Sequence, residues 1–117
     1  MNDADIPILK RTHDLYRTFH NYRKLIPKSD RFTIYERAEN NILDILERFY
    51  EASYSKGQDK STGLEKASVK LNTLRFFIRI MKESKSLDNK KYTLLQEIID
   101  EIGRMLGGWI RSTTSTR

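Results

Sequence analysis

The sequence predicts an all-α fold, an antiparallel up-down-up-down four-helix bundle, and three observations carry that prediction. Four segments repeat apolar residues at spacings of three and four, the signature of one buried face on an α-helix. The stretches between them are short and polar, which favours antiparallel neighbours. Only two prolines and five glycines punctuate the 117 residues, far too few for a β-rich chain with many turns. A chain of this length forms one domain, spanning residues 1–117, and can bury a core without staples.

The first helix is expected over about residues 7–26. Pro7 suits a first turn, and Pro27 disfavours α geometry at the residue before it. Its stripe is Ile8, Leu15, Phe19, Tyr22 and Ile26. After the connector Pro27-Lys28-Ser29-Asp30, the second helix is expected over about 32–55. There Tyr35, Ala38, Ile42, Ile45, Phe49 and Ala52 keep an unbroken 3-4-3-4-3 seam. A polar loop, Ser55 to Ser61, holds Gly57 and separates it from the third helix, about 62–84, with the seam Leu64, Ala67, Leu71, Leu74, Ile78 and Met81. Ser86 or Asp88 can cap the fourth helix, about 87–110, which carries Leu95, Ile98, Ile102, Met105 and Trp109. Leu94, Ile99, Leu106 and Ile110 widen that stripe. The polar tail 112–117 is expected to be disordered.

Composition excludes several functions. There is no cysteine, hence no disulfide, zinc-thiolate or thiol chemistry. No apolar run is long enough to span a membrane, the N-terminus is acidic, and the default location is the cytoplasm. The residues three before His13 and His20 are Lys10 and Arg17, so the Glu-x-x-His pattern of bundle metal sites is absent. Neither histidine follows an arginine by four to six residues, the arrangement of small helical ribonucleases. Gly57 and Gly63 are isolated rather than part of a phosphate loop. The acidic residues of the second helix flank its seam instead of facing inward. No catalytic activity, metal or cofactor is expected.

Two further rows call for partners. Val69, Phe76 and Ile80, with Thr73 between them, lie almost opposite the third helix's seam. Such an outward row predicts a second burial partner, most simply another copy of the subunit. On the first helix Lys10, His13, Arg17, His20 and Lys24 share one face, about 170° from the apolar stripe at 100° per residue. The third helix places Arg75, Arg79 and Lys82 on one edge, and Lys66 and Lys70 on the other. The formal net charge is +6. Residues 8–28 hold six basic side chains against Asp14, whereas residues 31–55 hold three against five acidic ones. A merely solvated face mixes its signs, so segregated charge predicts phosphate contacts, with Tyr16, His13 and His20 available to stack on unpaired bases. RNA is the expected polyanion, with DNA or an RNA–DNA hybrid open. A pure protein-interaction scaffold with a solvated basic face is the competing reading.

The C-terminal stretch Gly103-Arg104-Met105-Leu106-Gly107-Gly108-Trp109 accepts two glycines inside an apolar-periodic segment, each costing about 1 kcal/mol of helix propensity relative to alanine. Gly103 and Gly107 fall about 40° apart and are expected to let a neighbouring helix or chain end approach closely. Arg31 to Arg37 resembles the opening of the second helix, and Tyr50 to Lys56 its close, in one particular family. The stretch from Glu101 to Trp109 is similar to that family's most recognisable motif. It is the four-helix bundle family containing the accessory variability determinant of diversity-generating retroelements and the related proteins encoded by intervening sequences of bacterial 23S ribosomal RNA genes. The resemblance covers about residues 7–112 and, through the C-terminal motif, favours the retroelement branch. It implies a barrel-like homopentamer with a basic surface that binds the element's reverse transcriptase and template RNA and supports mutagenic copying. The ribosomal-insert branch, with no reverse transcriptase partner, is the alternative it leaves. Tyr35 departs from the family, where glycine more usually precedes the acidic–arginine pair.

Overall fold

The computed structural model describes residues 6–115. The elements run α1 (Ile6–Asn21), a 3-10 turn (Arg23–Leu25), one-turn α2 (Lys28–Arg31), α3 (Ile34–Tyr54), α4 (Gly57–Glu83) and α5 (Asn89–Ser115). No strand occurs among the described residues. The four long helices form a helical bundle about 47 Å long and 20 Å across. In it α1 packs on α3 and α5, α3 on α4, and α4 on α5.

The apolar seams explain why these helices assemble. Every seam residue predicted on α3 and α4 is buried, as are Ile8, Leu15, Phe19 and Ile26. Burying each large side chain contributes about 1.5–3 kcal/mol, against tenths for helix propensity, so the seam decides the packing. On α5 the stripe is rotated from the expected one. Leu95, Ile98, Ile99, Ile102 and Leu106 are buried, Met105 and Trp109 sit half-buried at the edge of the core, and Leu94 is exposed.

The ends of the helices differ from expectation for identifiable reasons. Pro27 forces Ile26 into extended geometry, and the chain prepares for it by tightening into the 3-10 turn, so α1 stops at Asn21. The expected connector is itself α2, whose Asp30 and Arg31 amides donate to the Pro27 carbonyl. Phe32 and Thr33 form a turn rather than the start of α3. The expected polar loop 55–61 shrinks to two residues, because Gly57 adopts φ +58° and starts α4 five residues early. Gln58, Asp59 and Lys60 are polar but tolerated in a first turn, where Asp59 also favours the helix dipole. Leu87 belongs to the turn before α5 yet is buried. Asp88 is the cap, its Oδ1 accepting the Lys91 amide at 2.8 Å, while Ser86 instead donates to Asp30.

The tail was expected to be disordered from residue 112, but α5 continues to Ser115. Ser112 and Thr113 hydroxyls donate back to the Trp109 and Ile110 carbonyls at 2.7 Å, and Thr113 also meets Ser61 of α4. Residues 116 and 117 lie outside the described residues. No helix among the described residues is long and apolar enough to cross a membrane.

Candidate nucleic-acid interface

On α1, Lys10, His13 and Arg17 are exposed on one face. Lys24 does not continue that row, because α1 has already ended and Lys24 lies in the 3-10 turn. His20 is also exposed, but its Nδ1 sits 3.0 Å from Glu39 of α3, so the row is not of a single sign at its end. Tyr16 stacks on His20, ring centroids 5.6 Å apart, and packs against the core. Arg11, next to the row, is held by Glu101 of α5 at 2.6 Å and by Asp14.

The two edges of α4 face different helices. Lys70 reaches Asp44 of α3 at 3.4 Å, and its carbonyl accepts the Asn41 amide at 2.9 Å. Arg75 pairs with Asp100 of α5, and the Lys82 ammonium lies 4.6 Å from the centre of the Tyr92 ring. Lys66 and Arg79 are exposed. Of the five predicted α4 cations, three are thus already engaged by neighbouring helices. Exposed ion pairs of this kind are worth little, so a phosphate could compete for them.

Between α3 and α4 runs a groove of about 500 Å³ bordered by Arg37, Asn40, Arg48, Lys66 and Lys70, with Val69 and Phe77 among its lining. Arg37 and Arg48 were not among the predicted site residues, since the negative balance of their helix hid them. The signal was available: Arg37, Asn41, Asp44 and Arg48 repeat at four, three and four on one face. Between α4 and α5 a second cleft, about 390 Å³, is lined by Arg75, Asp100, Gly103, Arg104 and Gly107.

The outward α4 row is solvent-facing at Val69 (66% exposed) and Phe76 (60%), whereas Ile80 is half-buried. In the C-terminal motif, Trp109 closes the end of the core. Its ring lies 6.2 Å from Phe49, with the Lys60 ammonium 5.9 Å away over it. The glycines of this motif do not admit another helix backbone within the subunit. A Cβ on Gly103 would meet the Arg75 guanidinium at 2.8 Å, and one on Gly107 or Gly108 would meet only Arg111 of the same helix. No group of three or more histidine, aspartate or glutamate side chains among the described residues could hold a metal ion.

A family model described as bAvd-like matches residues 6–113. No curated protein sequence matches the chain.

Proposed function

The chain belongs to the bAvd-like family, the accessory variability determinants of diversity-generating retroelements, and from that membership we propose a non-catalytic RNA- and reverse-transcriptase-binding role. In this reading the protein works in the cytoplasm as a homo-oligomer, most simply the family's pentamer, and presents template RNA for mutagenic copying. Family membership is the observation that carries it. The net charge of +6 supports the polyanion. Cations that stay exposed in the folded subunit support phosphate contacts that need no rearrangement. Exposed Val69 and Phe76 support the contact between copies.

The subunit in this reading is an up-down-up-down bundle. Supporting it, Ser61 meets Thr113 while Arg75 meets Asp100, so numbering rises on α4 as it falls on α5. Arg11 with Glu101 and Lys91 with Tyr22 give the same sense for α1 and α5.

Filter binding of the oligomer to the retroelement's template transcript tests the RNA half. Affinity should fall steeply as salt rises, because each neutralised phosphate releases counterions. Salt-insensitive binding to a protein partner, with no RNA retained at low salt, would instead identify a pure interaction scaffold.

A further inference from the structure

The bundle's charge is concentrated at one end. Two segments meet there, the connector 22–33 between α1 and α3 and the stretch 82–92 that closes α4, turns and opens α5. They are tied by the Ser86 hydroxyl donating to Asp30, and by the Lys91 ammonium 5.8 Å from the Tyr22 ring. Buried Ile26 and Leu87 anchor the two segments in the core.

The first segment carries Arg23, Lys24, Lys28 and Arg31, and the second carries Lys82, Lys85, Lys90 and Lys91. Only three acidic residues share these segments, Asp30, Glu83 and Asp88. Eight cations against three acids give +5 of the chain's net +6. The rest of the chain, with 14 basic and 13 acidic side chains of the 22 and 16 present, is nearly neutral. Asp30 already accepts from Ser86, and Asp88 is engaged by Lys91 at 2.8 Å. Lys24, Lys28, Lys85 and Lys90 remain exposed at this end.

Aromatic rings are interleaved with this charge. Phe32 is 59% exposed, with the Arg23 guanidinium 5.5 Å from its ring centre. Three of the four cation–ring pairs among the described residues lie at this end. Beside Phe32's segment a cleft of about 400 Å³ is lined by His20, Asn21, Arg23, Lys24 and Arg31, with no carboxylate in its lining. Arg31 gives one Nη2 to the Ile26 carbonyl and leaves its buried Nε without an acceptor. A stacking ring among clustered cations is the arrangement that holds unpaired nucleotides, backbone on charge and base on ring.

We infer that this end of the bundle, with Phe32 as the stacking platform and Lys24, Lys28 and Lys90 as phosphate contacts, is the surface that binds single-stranded RNA. The inference rests on the RNA-binding reading above and gives it a location: these two segments rather than the α1 face. An acidic protein surface would match the charge but offers Phe32 no base to stack on, and the Phe32→Ala arm of the test separates the two.

The test uses a fluorescent 30-nucleotide oligouridine and the full chain, with helix content checked by circular dichroism. The variant Lys24→Glu/Lys28→Glu/Lys90→Glu removes three contacts at exposed positions. Its affinity should fall at least tenfold, and its log–log salt slope should flatten by about 2, at about 0.7 per contact for single strands. The control Lys10→Glu/Arg17→Glu/Lys66→Glu, which makes the same change in total charge, should keep most of the wild-type slope. Phe32→Ala should weaken binding roughly tenfold with the slope unchanged, as loss of one stacked base does. Equal losses in the two triple variants, or a loss only in the control, would overturn the location while leaving RNA binding intact. Competition by polyglutamate matching that of RNA, with no effect of Phe32→Ala, would mark an acidic-protein surface and overturn the assignment. Wild-type protein without salt-dependent RNA binding would overturn both the location and the reading beneath it.

Discussion

Tyr35 stands where the resemblance leads one to expect glycine, and its surroundings show what the larger side chain does. Its ring is buried against Phe19, centroids 4.5 Å apart. Its hydroxyl donates to the Phe19 carbonyl at 2.8 Å and lies 3.3 Å from Glu39, the same carboxylate that meets His20. A glycine there would leave the α1–α3 contact without this filler, so the tyrosine packs the joint rather than disturbing it. Tyr35→Phe should cost about 1 kcal/mol, the net worth of one hydrogen bond. The cost stays at that level because the Phe19 carbonyl still accepts the Tyr22 amide. Urea denaturation of the two proteins at neutral pH checks it. Burial, reinforced by Glu39, pushes the Tyr35 phenol well above its ordinary 10.0. A group whose folded value is raised lends stability that is complete below its unfolded pKa and lost as pH climbs toward the folded one. Stability should therefore drop more steeply above about pH 10 in the wild type than in Tyr35→Phe, and parallel curves would contradict this account.

At the scale of the helix, the sequence was most legible where packing decides and least legible where it does not. The 3-4 seams of α3 and α4 identified their buried apolar residues one for one, because burial of large side chains outweighs every local preference; buried Asn41, Ser53 and Ser61 lay outside them. Helix ends were missed because they depend on small terms. The polar run Gln58-Asp59-Lys60 reads as a loop by composition, but it extends α4 once Gly57 supplies a left-handed start. The threonine-rich tail reads as disordered, but its hydroxyls fold back on α5 and Thr113 gains Ser61 as a neighbour. The site was partly legible for the same reason. Individual cations were found by counting along helices, whereas their concentration at one end depends on segments joined by Asp30 and Ser86, 56 residues apart in sequence, meeting in space. The glycines of α5 give a test at this scale. Neither Gly107 nor Gly108 is approached by another helix within the subunit, so Gly107→Ala and Gly108→Ala should each stabilise the isolated subunit by up to about 1 kcal/mol through helix propensity. Thermal unfolding of a dissociated subunit measures this. If either variant also weakens assembly, the bare backbone at that position serves a contact between copies.

For the whole molecule, the surface carries two separate apolar rows on different helices. Val69 and Phe76 line α4, and Leu43, Tyr50 and Tyr54 line α3 at spacings of seven and four, each 40% exposed or more. The α3 row was not foreseen, since its tyrosines fall among acidic residues that read as a solvated face. A two-fold contact needs one self-complementary patch, whereas a ring needs two different patches, each meeting the other on the next copy. Two rows of unlike composition, one flanked by Lys66, Lys70 and Arg79 and the other by Glu47 and Glu51, suit the second arrangement and give it a direction. The expected outcome is specific. Phe76→Asp should abolish assembly, and so should Tyr50→Asp/Tyr54→Asp, each leaving monomers by light scattering at micromolar concentration. Mixing the two variants should restore one intact contact per pair, giving heterodimers that cannot grow. A two-fold interface through the α4 row gives another result, since the α3 variant would then assemble normally by itself. Heterodimers from the mixture would establish head-to-tail assembly, and monomers from the mixture would show that these two rows do not meet.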